Sequence, residues 1–184
     1  KDIIKKKKDQ RIIKEYKKIL KYKKMIKFVF QEKPLGTGDA VLKTKKFITD
    51  KYFLMLLPDD LIMKSNCSKS MISIHKKYNS SVMASMKVNK KDVSRWGIYN
   101  IKKNINKNNF IIKNVVEKPS IKSAPSKNAV IGRYILPKTI FKKLSKLKPG
   151  SGKEIHITDA IQSLIDENYR FIGHNFNGKY LDCG

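Results

Sequence analysis

The chain has 184 residues, with 42 lysines and arginines against 15 aspartates and glutamates, a formal net charge of +27. One compact domain suits this length, and 40% apolar residues are enough for a core, which excludes a disordered or collagen-like chain. No apolar run approaches the roughly 18 residues needed to span a bilayer, and Cys67 and Cys183 lie far apart with no CxxC spacing, so neither a disulfide scaffold nor a zinc module is indicated.

Asp9 to Lys24 reads as a helix, with Ile12, Ile13, Tyr16, Ile19 and Leu20 on one face and lysines on the other; the expectation is a surface helix packed on a sheet. Met25 to Phe30 alternates as a strand. Residues 37–46 read as a helix after a glycine-containing turn. Tyr52 to Leu57 is a continuous apolar run, which predicts a strand buried on both faces, as in a parallel sheet. Ser68 to Tyr78 is a second helix, capped by Ser68, and Ser81 to Val88 returns as a strand, so the chain to this point predicts βαβ units. After Trp96 the pattern changes. Ile98 to Ile101 and Phe110 to Val116 read as strands joined by the polar loop KKNINKNN, and Ala129 to Leu136 as a third. Pro137 to Leu147 predicts a helix with proline in its first turn. Thr158 to Asn168 predicts another, and Tyr169 to Phe176 and Lys179 to Leu181 predict late strands. The fold class is therefore α/β, a Rossmann-like sheet with flanking helices and an added β region.

Four places could carry chemistry. QEKPLGTGDA, from Gln31 to Ala40, lies between a strand and a helix, where glycines let a backbone approach a flat or phosphorylated ligand. Leu57-Pro58-Asp59-Asp60 ends the apolar strand, and in open α/β sheets ligands bind outside the carboxyl ends of strands. Two adjacent acids in so basic a chain favour a magnesium site over a turn cap. Glu117 and Lys118 set opposite charges side by side at a strand end, where neighbours point to opposite faces. Asp182, near the last residue, is a candidate second metal carboxylate. The three histidines share no metal spacing, and neither cysteine has the local basic cluster that makes a thiolate nucleophile.

In order, the blocks QEKPLGTGDAVL, LLPDDLI, DVSRWGIYN, VVEKPS, APSKNAVIGRYIL, KPGSGKEIHITDAIQSL and KYLDCG resemble the sugar-phosphate nucleotidyltransferases, and within them the bacterial UTP–glucose-1-phosphate uridylyltransferases. The thymidylyl branch, the alternative within the family, usually shows Gly-Asp-Asn at the metal strand. The resemblance implies synthesis of UDP-glucose and pyrophosphate from UTP and glucose 1-phosphate. It implies that Gln31 and the backbone at Gly36 read the uracil edge, and that Asp59 and Asp182 hold Mg2+. It further implies that Gly97 and Glu117 grip glucose hydroxyls, Lys118 binds the sugar phosphate, and Gly132 and Tyr134 line the sugar pocket. The family opens with a strand and a GxGTR loop that cradles the triphosphate, and continues with C-terminal helices. The expectation is thus a single nucleotidyltransferase domain over residues 1–184, an internal fragment incomplete at both ends and inactive alone, with room for a homo-oligomer at full length.

The charge offers a rival reading, a basic nucleic-acid-binding domain. The bases, however, are 38 lysines and only four arginines (Arg11, Arg95, Arg133 and Arg170), and bidentate phosphate and base recognition favours arginine. The surplus is also spread, ten in the first 27 residues and seventeen in the remaining 157. A solvated lysine surface that attracts phosphates, without specific nucleic-acid or membrane partners, is the expectation, and KDIIKKKKDQ lacks the apolar core of a signal peptide, which makes the cytoplasm the expected compartment.

Overall fold

The computed structural model describes residues 9–149 and 154–184, so the Lys1–Lys8 run and residues 150–153 of the KPGSGKEIHITDAIQSL block lie outside the described residues. The chain divides into two units, Lys1–Glu32 and Lys33–Gly184. In the first, helix α1 (Gln10–Lys23) forms where the periodicity puts it. Asp9 caps it by accepting the Arg11 amide at 2.9 Å, and Lys21 and Lys23 sit at the negative end of its dipole. Within its unit no residue of the helix is buried, and Ile19 is 62% exposed. Met25 to Phe30 is not a strand either. Alternation alone does not make a strand without a ladder partner to satisfy its amides, and none pairs with this segment among the described strands.

The second unit is built on a six-stranded sheet. Its strands are β1 (Tyr52–Leu56), β3 (Ser81–Lys87), β4 (Gly97–Asn104), β5 (Asn109–Glu117), β6 (Asn128–Pro137) and β7 (Phe171–Asn175), in the order β1-β6-β3-β7-β5-β4. A separate ribbon pairs β2 (Asp60–Met63) with β8 (Lys179–Asp182). Helix α3 (Cys67–Tyr78) packs Cys67 and Met71 on one face of the large sheet, against Val82, Ala84, Ile131 and Ile135. The other face buries α2 (Thr37–Lys43), α4 (Ile140–Leu144) and α5 (Ile157–Asp166), the last through Ile157, Ala160, Ile161 and Leu164 at helical spacing.

The sheet is mixed, as expected of the class, but its pairing differs from the parallel reading. β1 and β3 run the same way and are joined by α3, yet β6 lies between them and is antiparallel to both; only β3–β7 is a parallel pair among the described strands. The reason is that β6, nearly fifty residues later in the chain, inserts into the gap, and a local reading of strand–helix–strand has no access to that pairing. β1 does pack on both faces, with Phe53 and Met55 on one cluster and Tyr52 and Leu54 on the other. Two helix boundaries also move. Asn66, not Ser68, caps α3, its side chain accepting the Lys69 amide at 3.0 Å. Pro137 ends β6 opposite Tyr52 rather than starting a helix, and strand-like bonding continues past it from the Lys138 amide to Lys51.

Two outcomes test this packing. Gly173 faces Phe110, whose ring atoms would lie 2.2–2.3 Å from a β-carbon at that position, and Phe110 is itself buried. Gly173→Ala is expected to lower stability by about 1–3 kcal/mol, and a thermal melt to fall by about 2–4 °C for each kcal/mol. His174 is buried with its Nδ1 2.8 Å from Asn109 Oδ1, and burial lowers its pKa from the usual 6.5. A neutral imidazole is therefore favoured in the fold: its contribution is present above about pH 6.5 and lost as the pH falls through the lower folded value. Urea titrations across that range should show stability declining toward acid, with a shallower decline in His174→Gln.

Candidate active site

The apolar strand β1 ends at Leu56, and Leu57 continues its pairing by donating its amide to the Gly132 carbonyl at 2.7 Å. The chain then turns through Pro58 and Asp59 into β2. The two adjacent acids have opposite fates. Asp60 is buried; its Oδ2 accepts the Gly132 amide, its Oδ1 accepts the Tyr180 phenol, and its own carbonyl takes the Arg133 guanidinium at 2.6 Å. Asp59 is exposed. Asp182 ends β8 opposite Asp60 in the ladder. A β-carbon built on Gly184 would lie 3.2 Å from Asp59 Oδ2 and 3.6 Å from Asp182 Oδ1, so the two oxygens are no more than 6.8 Å apart, the sum of those distances.

Carboxylate oxygens are the donors magnesium takes, through one or two carboxylates with water and substrate phosphate completing its shell. Asp59 and Asp182 are a pair of such donors; among the described residues no group of three or more His, Cys, Asp or Glu side chains could hold a metal ion.

The sugar-side candidates also converge. Gly97 opens β4 opposite Glu117, the last residue of β5. The Glu117 carboxylate lies over the Gly97 α-carbon, with Oε2 2.9 Å from where a β-carbon would stand, so a side chain here would push the carboxylate aside. The next residue, Lys118, takes the left-handed conformation at φ 42°, while its amide still donates to the Trp96 carbonyl at 3.0 Å. Tyr134 is buried on β6. Burial pushes its phenol pKa up, and the negative fields of Asp60 and Glu117 push it further. Trp96 meets Tyr180 edge to face at 5.6 Å and so ties the β4 block to the β8 block.

Asp59, Glu117, Lys118, Gly97, Gly132, Tyr134 and Asp182 are thus gathered within the second unit. Gly36, also in that unit, caps α2 at φ 89°, and a β-carbon there would lie 2.8 Å from the Ile155 carbonyl. Gln31 belongs to the first unit. The thiol of Cys67 is pushed up to about 11 by burial, offset in part by Arg133, which suits a packing residue and not a nucleophile. A groove of about 690 Å³ lined by Lys102, Lys113, Tyr169 and Arg170 among others contains none of the candidate residues.

Three participants escaped the sequence reading: Tyr180, Arg133 and the structural use of Asp60. Alternation along KYLD could have flagged Tyr180, since it shares a strand face with Asp182. The strain at Lys118 gives a direct test. A non-glycine residue in the left-handed region costs about 1–2 kcal/mol, so Lys118→Gly should unfold at higher denaturant than Lys118→Ala, by roughly 0.5–1 kcal/mol after the entropy of glycine is counted.

The nucleotidyl transferase family profile matches residues 2–184. A Streptococcus pyogenes protein named UTP–glucose-1-phosphate uridylyltransferase 2 is 37% identical over 162 residues, covering 85% of this chain and 54% of its own length. A crystal structure of a UDP-glucose pyrophosphorylase complexed with UDP-glucose matches with a TM-score of 0.77 and 38% identity, covering 85% of this chain and 60% of that one. A UTP-bound structure from Acinetobacter baumannii matches with a TM-score of 0.72 and 31% identity, over 82% of this chain and 52% of that one. The chain therefore spans about half the length of the curated relatives it matches. With the profile covering nearly every residue and the sheet superposing on these enzymes, the chain belongs to the nucleotidyl transferase family.

Proposed function

We propose that the whole protein transfers a uridylyl group from UTP to glucose 1-phosphate, releasing pyrophosphate, and that residues 1–184 contribute the sugar side of the site and its metal acids. One observation carries this reading. Asp59 and Asp182, far apart in the chain, bring carboxylate oxygens to within 6.8 Å of each other, and Glu117 rests over Gly97 in the same unit. Two carboxylates so placed are suited to a cation, and Glu117 to sugar hydroxyls. The names of the relatives and the UDP-glucose bound in one of them support the same assignment.

In this reading Glu117, resting over Gly97, accepts hydrogen bonds from glucose hydroxyls, with Gly132 and Tyr134 lining the pocket. Tyr134 is a neutral phenol at physiological pH, as any tyrosine is, and burial pushes its pKa higher still. Lys118 receives the sugar phosphate. Gln31 and the backbone at Gly36 read the uracil edge. Asp59 and Asp182 would hold Mg2+, which when bound neutralises charge on the phosphates. The attacking phosphate oxygen of glucose 1-phosphate forms a bond to the α-phosphorus as the bond to pyrophosphate breaks. A phosphate oxyanion is already a nucleophile, so this chain needs no general base; its task is to position and to neutralise. A cytoplasmic setting, and a homo-oligomer at full length, go with the same proposal.

The test is kinetic. Asp59→Asn should lower the rate of UDP-glucose formation by roughly a hundredfold or more, since charge neutralisation by a metal is worth several kcal/mol and about 1.4 kcal/mol is tenfold. A fall below about threefold, roughly 0.6 kcal/mol, would remove Asp59 from the site. Glu117→Gln should act mainly by raising KM for glucose 1-phosphate, with UTP little affected.

A further inference from the structure

Asp60 holds together parts of the fold that no ladder joins. The β2–β8 ribbon has two strands of four residues each, and a lone two-stranded ribbon is marginal in water. Its attachments to the large sheet are apolar contacts of Ile62 and Tyr180, the Trp96–Tyr180 ring contact, and Asp60. Of these attachments, Asp60 is the one made through hydrogen bonds. Its carboxylate takes one donor from β6, the Gly132 amide, and one from β8, the Tyr180 phenol, while Arg133 of β6 grips its carbonyl.

The surroundings are shaped for that carboxylate. A β-carbon on Gly132 would stand 2.3 Å from Asp60 Oδ2 and 2.5 Å from Leu57, so any larger residue would expel the acid. Both neighbours of Asp60 that matter to chemistry are held through it: Asp59 precedes it in the chain, and Asp182 is its partner in the ladder. The Cys183 amide, donating to the Asp59 carbonyl at 3.0 Å, extends the same ribbon by one step.

We propose that Asp60 is a positioning residue whose buried carboxylate clasps the β2–β8 ribbon to β6 and thereby holds Asp59 and Asp182 as a pair. What that pair binds rests on the function proposed above; the clasp itself does not. An ionised carboxylate is an acceptor at both oxygens, which the two donors demand. Asparagine has the same shape but sets an NH2 group against one of them.

The test uses the full chain with Asp60→Asn, Tyr180→Phe, their combination, and Asp59→Asn. Trp96, the sole tryptophan, reports ribbon docking through its accessibility to a soluble quencher. Mn2+, counted by electron paramagnetic resonance, reports the acid pair. Tyr180→Phe keeps the ring over Trp96 and is the mild variant, which decides the question if Asp60→Asn does not fold. Asp60→Asn should raise Trp96 quenching at least twofold and weaken Mn2+ about tenfold; Tyr180→Phe, which removes the β8 donor but leaves the Gly132 amide on Asp60, should move both readouts the same way by less, and the double variant should be little worse than Asp60→Asn alone, because Tyr180 acts through Asp60. Asp59→Asn should abolish Mn2+ binding while leaving Trp96 quenching unchanged. Unchanged quenching in a folded Tyr180→Phe protein would overturn the clasp, as would wild-type Mn2+ affinity in that variant. Absence of Mn2+ binding by the wild type would instead overturn the metal assignment, and quenching would then decide the clasp alone.

Discussion

Strand β6 runs antiparallel between β1 and β3, and its Gly132–Arg133 segment holds both the carboxylate and the carbonyl of Asp60. The constraint is one of space. At Gly132 the backbone must come close enough to Leu57 and Asp60 that no side chain fits, and from that approach follow the buried carboxylate, the docked ribbon and the nearness of Asp59 to Asp182. Two residues further on, Tyr134 is buried, its phenol pKa raised by burial and by the fields of Asp60 and Glu117, acids of the proposed ribbon clasp and the proposed sugar pocket. Apolar packing on both faces, with α3 on one and α2, α4 and α5 on the other, gives the strand the rigidity this requires.

Lys43–Asp39 and Lys143–Glu167 pair within the second unit, whereas Asp59, Glu117 and Asp182, like Asp50, Asp92 and Asp166, form no ion pair among the described residues. The spread lysine excess supplies a general field that draws phosphates, without the fixed forks of arginine that read them. Placement of a few groups, not total charge, is what phosphoryl transfer needs.

Much of this is legible in the sequence, and the failures have physical reasons. Helical periodicity locates α1, α3 and α5 to within a residue or two, because that signal is local. The polar loop between Ile101 and Phe110 marks the β4–β5 hairpin for the same reason, although both strands extend further than their apolar cores. Met25 to Phe30 alternates yet forms no strand, because alternation states a preference and pairing requires a partner. The parallel reading of Tyr52 to Leu57 fails because its partner β6 is distant in the chain. Among the acids, adjacency draws attention to Asp59 and Asp60 but cannot tell which is buried. That depends on Gly132 and Tyr180, about seventy and 120 residues away.

A crystal structure of the whole protein grown with UDP-glucose and magnesium would locate the ion and the sugar at once. The expected result is an ion within bonding reach of both Asp59 and Asp182, about 2.1 Å from each ligating oxygen, the glucose hydroxyls on Glu117 above Gly97, and Asp60 still bonded to Gly132 and Tyr180. A nucleotide sugar seated elsewhere, for instance in the groove lined by Lys102, Lys113 and Arg170, with Asp59 and Asp182 bonded to neither ion nor ligand, would contradict the proposed site.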